Sequence, residues 1–240
     1  MREQTLVLIG GWGLPVAAIA AVAKDWPGPV IGISLDDTLF AVAEDADDLV
    51  RRIIARVGEP AVWAGWSLGG QVAMHAARFF PQQVTGVFTL CSTPCFTRRR
   101  GWLAGMPDSI FESFVSRFES EPLRQWQRFL LMQIQGDEQE RTARRAFRSW
   151  LEHGPGMQPA TLSRGLEWLD TWDQRSLWRE VAVPALHVFG ERDPLIDPGT
   201  PEAAALDTRR VVRIEGMAHW PFGQGLSQVQ DRLKPEALVK

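Results

Sequence analysis

Gly65-Trp66-Ser67-Leu68-Gly69 is the stretch on which the reading of this chain turns. A β-rich apolar run, Ala61–Gly65, enters it, and a helical pattern, Leu68–Phe80, leaves it and is stopped by Pro81. A serine between two glycines, at a strand-to-helix junction, is the G-x-S-x-G arrangement that lifts a hydroxyl above a sheet on a sharp turn. The turn strains the serine backbone, and the glycines remove Cβ atoms that would strike the neighbouring strand and helix. Gly70 adds a third small residue on the helix side.

Working outward, short β-rich runs alternate with helical patterns, the signature of a mostly parallel sheet flanked by helices. The runs are Thr5–Ile9, Val30–Leu35, Ala61–Gly65, Val84–Cys91, Ala185–Phe189 and Val211–Ile214, and Asp45–Val57 reads as another helix. Between about Phe96 and Glu180 no strand is expected, and amphipathic helices follow one another: Leu123, Trp126, Leu130 and Ile134 recur at helical spacing, as do Phe147, Trp150 and Leu151. The expected architecture is therefore a single α/β domain of the α/β-hydrolase fold. Its core is 1–96 and 181–240, and a helical cap, 97–180, is inserted before the last strands. Trp102, Trp126, Trp150, Trp168 and Trp172 fall in the cap, with Trp178 at its exit, and most are expected to pack between cap and sheet.

With 240 residues, 45% of them hydrophobic and 23% charged, the chain can bury a sizeable core and is not disordered. A net charge of −3 lacks the basic excess of a nucleic-acid binder. No apolar run reaches the ~20 residues needed to cross a bilayer. Leu14–Ala23 imitates a secretory h-region, but its removal would take with it the first strand and the glycine-rich turn that the chemistry needs. Two cysteines, Cys91 and Cys95, have no zinc-site companions. A cytoplasmic, monomeric protein without metal, cofactor or membrane association is expected. The absence of G-x-G-x-x-G argues against a dinucleotide loop at Gly10–Gly13.

A serine hydroxyl needs a base, and the base needs an orienting carboxylate. In this fold they follow in the order Ser, Asp, His, each beyond one of the last strands. Asp193 follows Ala185–Phe189, and His219 follows Val211–Ile214. Asp197, four residues on, is the rival to Asp193, and Glu191 a third choice. His75 lies in a helix, His187 in a strand and His153 near a Gly-Pro turn, which makes each a structural or surface residue. The oxyanion formed on attack needs backbone donors, expected from Leu68 and from Trp12 in Gly10-Gly11-Trp12-Gly13. A serine rather than a carboxylate nucleophile points to acyl transfer to water.

These residues resemble the pimeloyl-[acyl-carrier protein] methyl ester esterase family of biotin synthesis, the BioH type. The likeness covers most of the chain. It is carried by Gly10–Leu14 (GGWGL), Gly65–Gly70 (GWSLGG), Ser92–Phe96 with its PCF, Ala218–Phe222 (AHWPF) and, in the cap, Arg128-Phe129-Leu130-Leu131-Met132-Gln133. The triad motifs are shared by many hydrolases; the PCF and cap segments are more specific. The resemblance implies that Trp12, Ser67, Leu68, Phe129, Leu130, Leu131, Met132, Gln133 and His219 contact the acyl chain. It also implies that Arg124, Arg128, Arg141 and Arg145 dock an acidic acyl carrier protein. Glu121–Trp150 holds six arginines against four acidic residues, and Arg124/Arg128 and Arg141/Arg145 are i,i+4 pairs, each on one helix face. Many members of the fold have His-Gly where this chain has Gly10-Gly11, so the side-chain contacts of that loop differ while its backbone donors do not. A thioesterase or short-chain carboxylesterase would use the same triad, and a non-catalytic scaffold would need none of it. Arg98-Arg99-Arg100 receives no role.

Overall fold

The computed structural model describes residues 4–238. Six strands, β1 (Leu6–Ile9), β2 (Val30–Ile33), β3 (Ala61–Trp66), β4 (Val84–Leu90), β5 (Ala185–Gly190) and β6 (Val211–Ile214), form one sheet in the order β2-β1-β3-β4-β5-β6, every neighbouring pair parallel. This is the expected α/β class. Strands covered on both faces read as continuous apolar runs, and β1 and β3 are buried at every position. The edge strands β2 and β6 are partly exposed.

Several elements end earlier than their sequence patterns. β2 stops at Ile33, and the hydroxyl of Ser34 turns to accept from Val16 N–H (3.0 Å). β4 stops at Leu90 because Cys91 has φ +46°, outside the ladder conformation. Helix α1 (Ala46–Val57) begins at the Asp45 cap, whose carboxylate accepts from Asp48 N–H (2.8 Å), and ends at Gly58 with φ +77°. Leu14–Ala23 forms two short 3-10 turns, Val16–Ala18 and Ala20–Ala23, that bury Ala18, Val22 and Ala23. Among the described residues no helix is long and apolar enough to cross a membrane.

The chain leaves β1 for β2 on one side, returns through α1 to β3 on the other side of β1, and leaves β3 through α2 (Leu68–Phe79) for β4, further from β1. At such a switch point the loops beyond two adjacent strands diverge and open a crevice. Here they are Gly10–Gly13 after β1 and Ser67 after β3.

Between β4 and β5 stand α3 (Asp108–Ser120), α4 (Pro122–Met132), α5 (Glu140–His153), α6 (Pro159–Thr171) and α7 (Arg175–Glu180). They are tied to the loops beyond β1 and β2. The Asp37 carboxylate accepts from Gln158 N–H (3.1 Å) and the Thr161 hydroxyl at the start of α6. The Arg164 guanidinium donates to the carbonyls of Ala43 and Glu44 and lies over the rings of Phe40 and Trp168. Trp12 Nε1–H donates to Leu162 O (2.8 Å), and Trp126 Nε1–H to Gly13 O (2.6 Å). Trp126 thus pins α4 to the loop after β1, and Trp12 pins that loop to α6. Trp168 stacks on Trp172 at 4.3 Å, and Trp102 is buried with Cys95 and Ala204.

Asp37 meets otherwise unpaired donors of α6 across the junction. Asp37→Ala should cost about 1 kcal/mol and lower the thermal midpoint by roughly 2–4 °C, read by circular dichroism. An unchanged midpoint would show that this capping contact does not stabilise the folded chain.

Candidate active site

Ser67 sits between β3 and α2 with φ +55° and ψ −122°, one of three non-glycine residues with positive φ among those described. The neighbouring glycines make that turn possible by letting backbones touch. A Cβ on Gly65 would lie 2.1 Å from Gly69 O, and one on Gly69 would lie 2.4 Å from Gly10 O and 2.6 Å from Ile9 O. On Gly70 it would strike the Ser92 side chain at 2.5 Å. The turn is then closed by hydrogen bonds: Ser67 N–H donates to Leu90 O (2.9 Å), and Ser92 Oγ–H to Ser67 O (2.7 Å). Leu68 N–H, in the first turn of α2, is one of the donors that a helix leaves unpaired. Gly11 brings the β1 loop alongside, since a Cβ there would be 3.2 Å from Ser67 Cβ.

Asp193 and His219 meet in the interior. His219 Nδ1–H donates to Asp193 Oδ2 at 2.8 Å, with side-chain exposures of 1% and 2%. The other carboxylate oxygen accepts from Leu195 N–H (2.8 Å) and Ile196 N–H (3.0 Å), so the acid is oriented by its own loop before it orients the base. With Nδ1 holding the proton, Nε2 is the free acceptor; it is buried and has no partner among the described residues. Trp66, the residue before the serine, donates through Nε1–H to His219 O (2.9 Å), and the two rings lie 5.5 Å apart. Cys91 Sγ, the Asp193 carboxylate and the His219 imidazole lie within 4.8 Å of one another. Burial, and then the Asp193 charge, push the Cys91 thiol well above its ordinary range, so it stays a neutral group beside the acid.

Sequence rivals are placed elsewhere. Asp197 accepts from Gly199 N–H (2.7 Å), and Glu191 from Gly216 N–H (3.3 Å). His75 pairs with Asp47 at 2.7 Å, and exposed His153 bonds Ser149 O at 2.6 Å.

A cavity of about 350 Å³ opens in the cap, lined by Phe96, Met106, Phe111, Phe114, Phe129, Met132, Leu166 and Leu169, with Gln125, Arg117 and Arg128 among its polar members. Phenylalanines rather than tryptophans line it. Phe129 and Phe114 lie edge-on to Trp12 at 4.8 and 6.1 Å, which joins the cavity wall to the loop beside Ser67. Of the Phe129–Gln133 segment, Phe129 and Met132 line the cavity, and Leu130 is buried in the core. Leu131 instead borders an outer depression with Arg141, Arg144, Arg145 and Arg148. Gln133 is buried, its Oε1 without a partner among the described residues. Arg124 pairs with Glu121 at 3.1 Å. The sequence reading did not single out α3, although Phe111, Phe114 and Phe118 at i, i+3 and i+7 carry its signal.

A model of the alpha/beta hydrolase family matches residues 6–231. The chain is 33% identical to the pimeloyl-[acyl-carrier protein] methyl ester esterase of Edwardsiella ictaluri, over 92% of this chain and 88% of that one. It is also 33% identical to the protein of the same name from Xanthomonas oryzae pv. oryzae, over 95% and 93%. Among solved structures, an esterase from Exiguobacterium antarcticum superposes with a TM-score of 0.82 at 15% identity, covering 99% of this chain and 92% of that one. The enol-lactonase of Burkholderia xenovorans gives 0.76 at 13%, covering 100% and 93%. At those identities the structural likeness speaks for the fold.

His187, the remaining histidine, is buried in β5, hydrogen-bonded to Thr89 Oγ1 (2.8 Å) and stacked on Trp178 at 5.0 Å. Burial lowers its pKa to about 3, so it stays neutral in the fold while the unfolded chain protonates it near 6.5. The stability it contributes is present above about pH 6.5 and is lost as pH falls toward 3, at roughly 1.4 kcal/mol per unit. Urea midpoints at pH 7 and pH 5 should therefore separate more for the wild type than for His187→Gln. Equal separations would show that His187 does not titrate this way.

Proposed function

The chain belongs to the alpha/beta hydrolase family and, within it, to the pimeloyl-[acyl-carrier protein] methyl ester esterases, and from this membership and the geometry of its site we propose its reaction. It hydrolyses the methyl ester of a pimeloyl chain carried on an acyl carrier protein, releasing methanol, as a step of biotin synthesis. It works as a cytoplasmic monomer. The observation that carries the reading is the buried His219–Asp193 pair, tied by the Trp66 hydrogen bond to the strand that ends in the strained Ser67 turn, with an apolar cavity whose Phe114 and Phe129 pack on Trp12 of the neighbouring loop.

In the proposed reaction, Ser67 Oγ attacks the ester carbonyl carbon as its proton passes to His219 Nε2. The imidazolium that forms is held by Asp193, whose second oxygen is already committed to Leu195 and Ile196. Negative charge on the carbonyl oxygen is met by the N–H groups of Leu68 and Trp12. Collapse of the tetrahedral species breaks the bond to the methoxy oxygen, which takes the proton from His219 and leaves as methanol. Water, giving a proton to His219, then attacks the acyl-enzyme and returns Ser67. The methylene chain lies along Trp12, Phe129 and Met132, with Leu130, Leu131 and Gln133 completing the segment that shapes its path. Apolar walls suit it: each buried CH₂ is worth ~0.8 kcal/mol. Arg124, Arg128, Arg141 and Arg145 meet the acidic carrier. Arg128 borders the cavity, and Arg141 and Arg145 border the outer depression.

Methanol release from carrier-bound pimeloyl methyl ester, run beside a small aryl ester and an acyl thioester, tests the reading. The carrier-bound ester should be strongly preferred, and Ser67→Ala should abolish turnover by at least about 10³-fold while still binding the carrier. Comparable turnover of the thioester would turn the assignment to a thioesterase. Replacing Arg128 and Arg145 together by Ala should raise KM for the carrier substrate about tenfold, and the effect should fade with added salt. Equal losses on the aryl ester would remove the docking role.

A further inference from the structure

The loop that delivers His219, 215–220, is shared between two parts of the molecule. Its carbonyls are taken by the core: Arg192 N–H donates to Met217 O (3.0 Å), and Trp66 Nε1–H to His219 O (2.9 Å). Its N–H groups on either side of His219 are taken by the cap. Ala218 N–H donates to Asp137 Oδ2 (3.1 Å), and Trp220 N–H to Gln133 O (3.0 Å). A third link runs the other way, from Glu138 N–H to Gly216 O (3.1 Å). The approach is close enough that a Cβ on Gly216 would fall 2.4 Å from the Glu138 side chain.

Asp137 is the side chain in this ladder. It is 9% exposed, its other oxygen accepts from Gln139 N–H (2.8 Å), and no cation pairs with it among the described residues. Burying a carboxylate with two backbone donors and no counter-charge is costly, and an apolar side chain would fill the space at less expense. Stability alone therefore does not account for it. What its carboxylate oxygen does is hold the N–H of Ala218, the residue before His219. The same segment, 133–139, joins α4 to α5, the helices that carry Arg124, Arg128, Arg141 and Arg145. Phe147 of α5 also packs on Trp220, directly after His219, with ring centroids 4.5 Å apart.

We propose that Asp137 is a positioning residue that holds the Ala218 N–H, so that His219 keeps its place on Asp193 as the base for the serine, and the helices proposed to dock the carrier are tied to that base. The proposal rests on the reading of His219 as that base, which is tested separately: His219→Ala should be inactive on every ester.

Asp137→Ala should lower kcat on a small aryl ester on the order of 10- to 100-fold, with KM within about twofold. Asp137→Asn, whose amide oxygen can still accept from Ala218 N–H, should restore most of kcat. The downfield proton resonance of the His219 Nδ1–H bond, identified by its loss in Asp193→Asn, should weaken or exchange faster in Asp137→Ala and return in Asp137→Asn. Glu152→Ala, which removes only the exposed pair with Arg148 on α5, is the control for surface charge. Should Asp137→Ala not fold, Asp137→Glu keeps the charge but displaces the carboxylate from Ala218 and should show the same loss of kcat and resonance. An active Asp137→Ala or Asp137→Glu with an unaltered resonance, beside an inactive His219→Ala, would overturn the brace and leave the esterase reading standing. Loss of activity with the resonance intact would equally overturn it.

Discussion

Contact between backbones at the β1–β3 switch point is the constraint on which the rest depends. Gly69 lies so near the carbonyls of Ile9 and Gly10, and Gly65 so near Gly69, that no side chain fits at either position. That contact draws the N-terminus of α2 over the strand ends and leaves Ser67 one residue in which to reverse direction, hence its φ of +55°. A non-glycine residue in that region costs on the order of 1–3 kcal/mol and persists only where its surroundings over-determine it. Here the hydrogen bonds from Ser67 N–H and Ser92 Oγ–H supply that determination from β4 and the segment after it. The strain is thus local, while the interactions that sustain it come from three strands.

The same economy of backbone contact extends to the cap. Trp126 reaches Gly13 and Trp12 reaches Leu162, so the loop that carries one proposed oxyanion donor is held by α4 and α6 as much as by β1. The His219 loop is divided in the same manner, the carbonyls of Met217 and His219 bound to the core, and Gly216 O and the N–H groups of Ala218 and Trp220 bound to the 133–139 segment. Only the Asp193 loop orients its functional atom chiefly by its own N–H groups. The helices between β4 and β5 therefore hold the loops that carry Trp12 and His219 as well as forming the walls of the cavity.

Much of this was legible from residue order. Strands buried on both faces announce themselves as apolar runs, and Gly65, Ser67 and Gly69 name a turn whose geometry follows from their chemistry. Asp193 stands beside His219, while Asp197, four residues further along, turns back to accept from Gly199 N–H. What could not be read was tertiary. Phe111, Phe114 and Phe118 mark a helix face, yet nothing local says that this face lines a cavity while the larger tryptophans pin the cap. Asp137 reads as a turn residue before α5, and its bond to Ala218, 81 positions away in the chain, leaves no local trace. β2 and β4 ended early for a related reason, since Ser34 and Cys91 obey neighbours beyond their own strands.

A carrier protein offers far more binding surface than the ester it presents, and that surface raises kcat only if its docking energy is felt at the reacting atoms. Arginines on an outer helix would otherwise improve affinity alone. In this chain the connection between α4 and α5, the helices proposed to dock the carrier, carries hydrogen bonds to the residues on both sides of His219, and α5 packs against the second of them. Under that proposal, a carrier that steadies α4 and α5 would steady His219 through bonded and packed contacts already in place, with no movement of the sheet. An ester that fills only the cavity gains apolar burial but leaves that route unused. Preference for carrier-bound substrate can in this way arise in the chemical step as well as in binding, from a cap joined to the catalytic loop at the peptides next to the base.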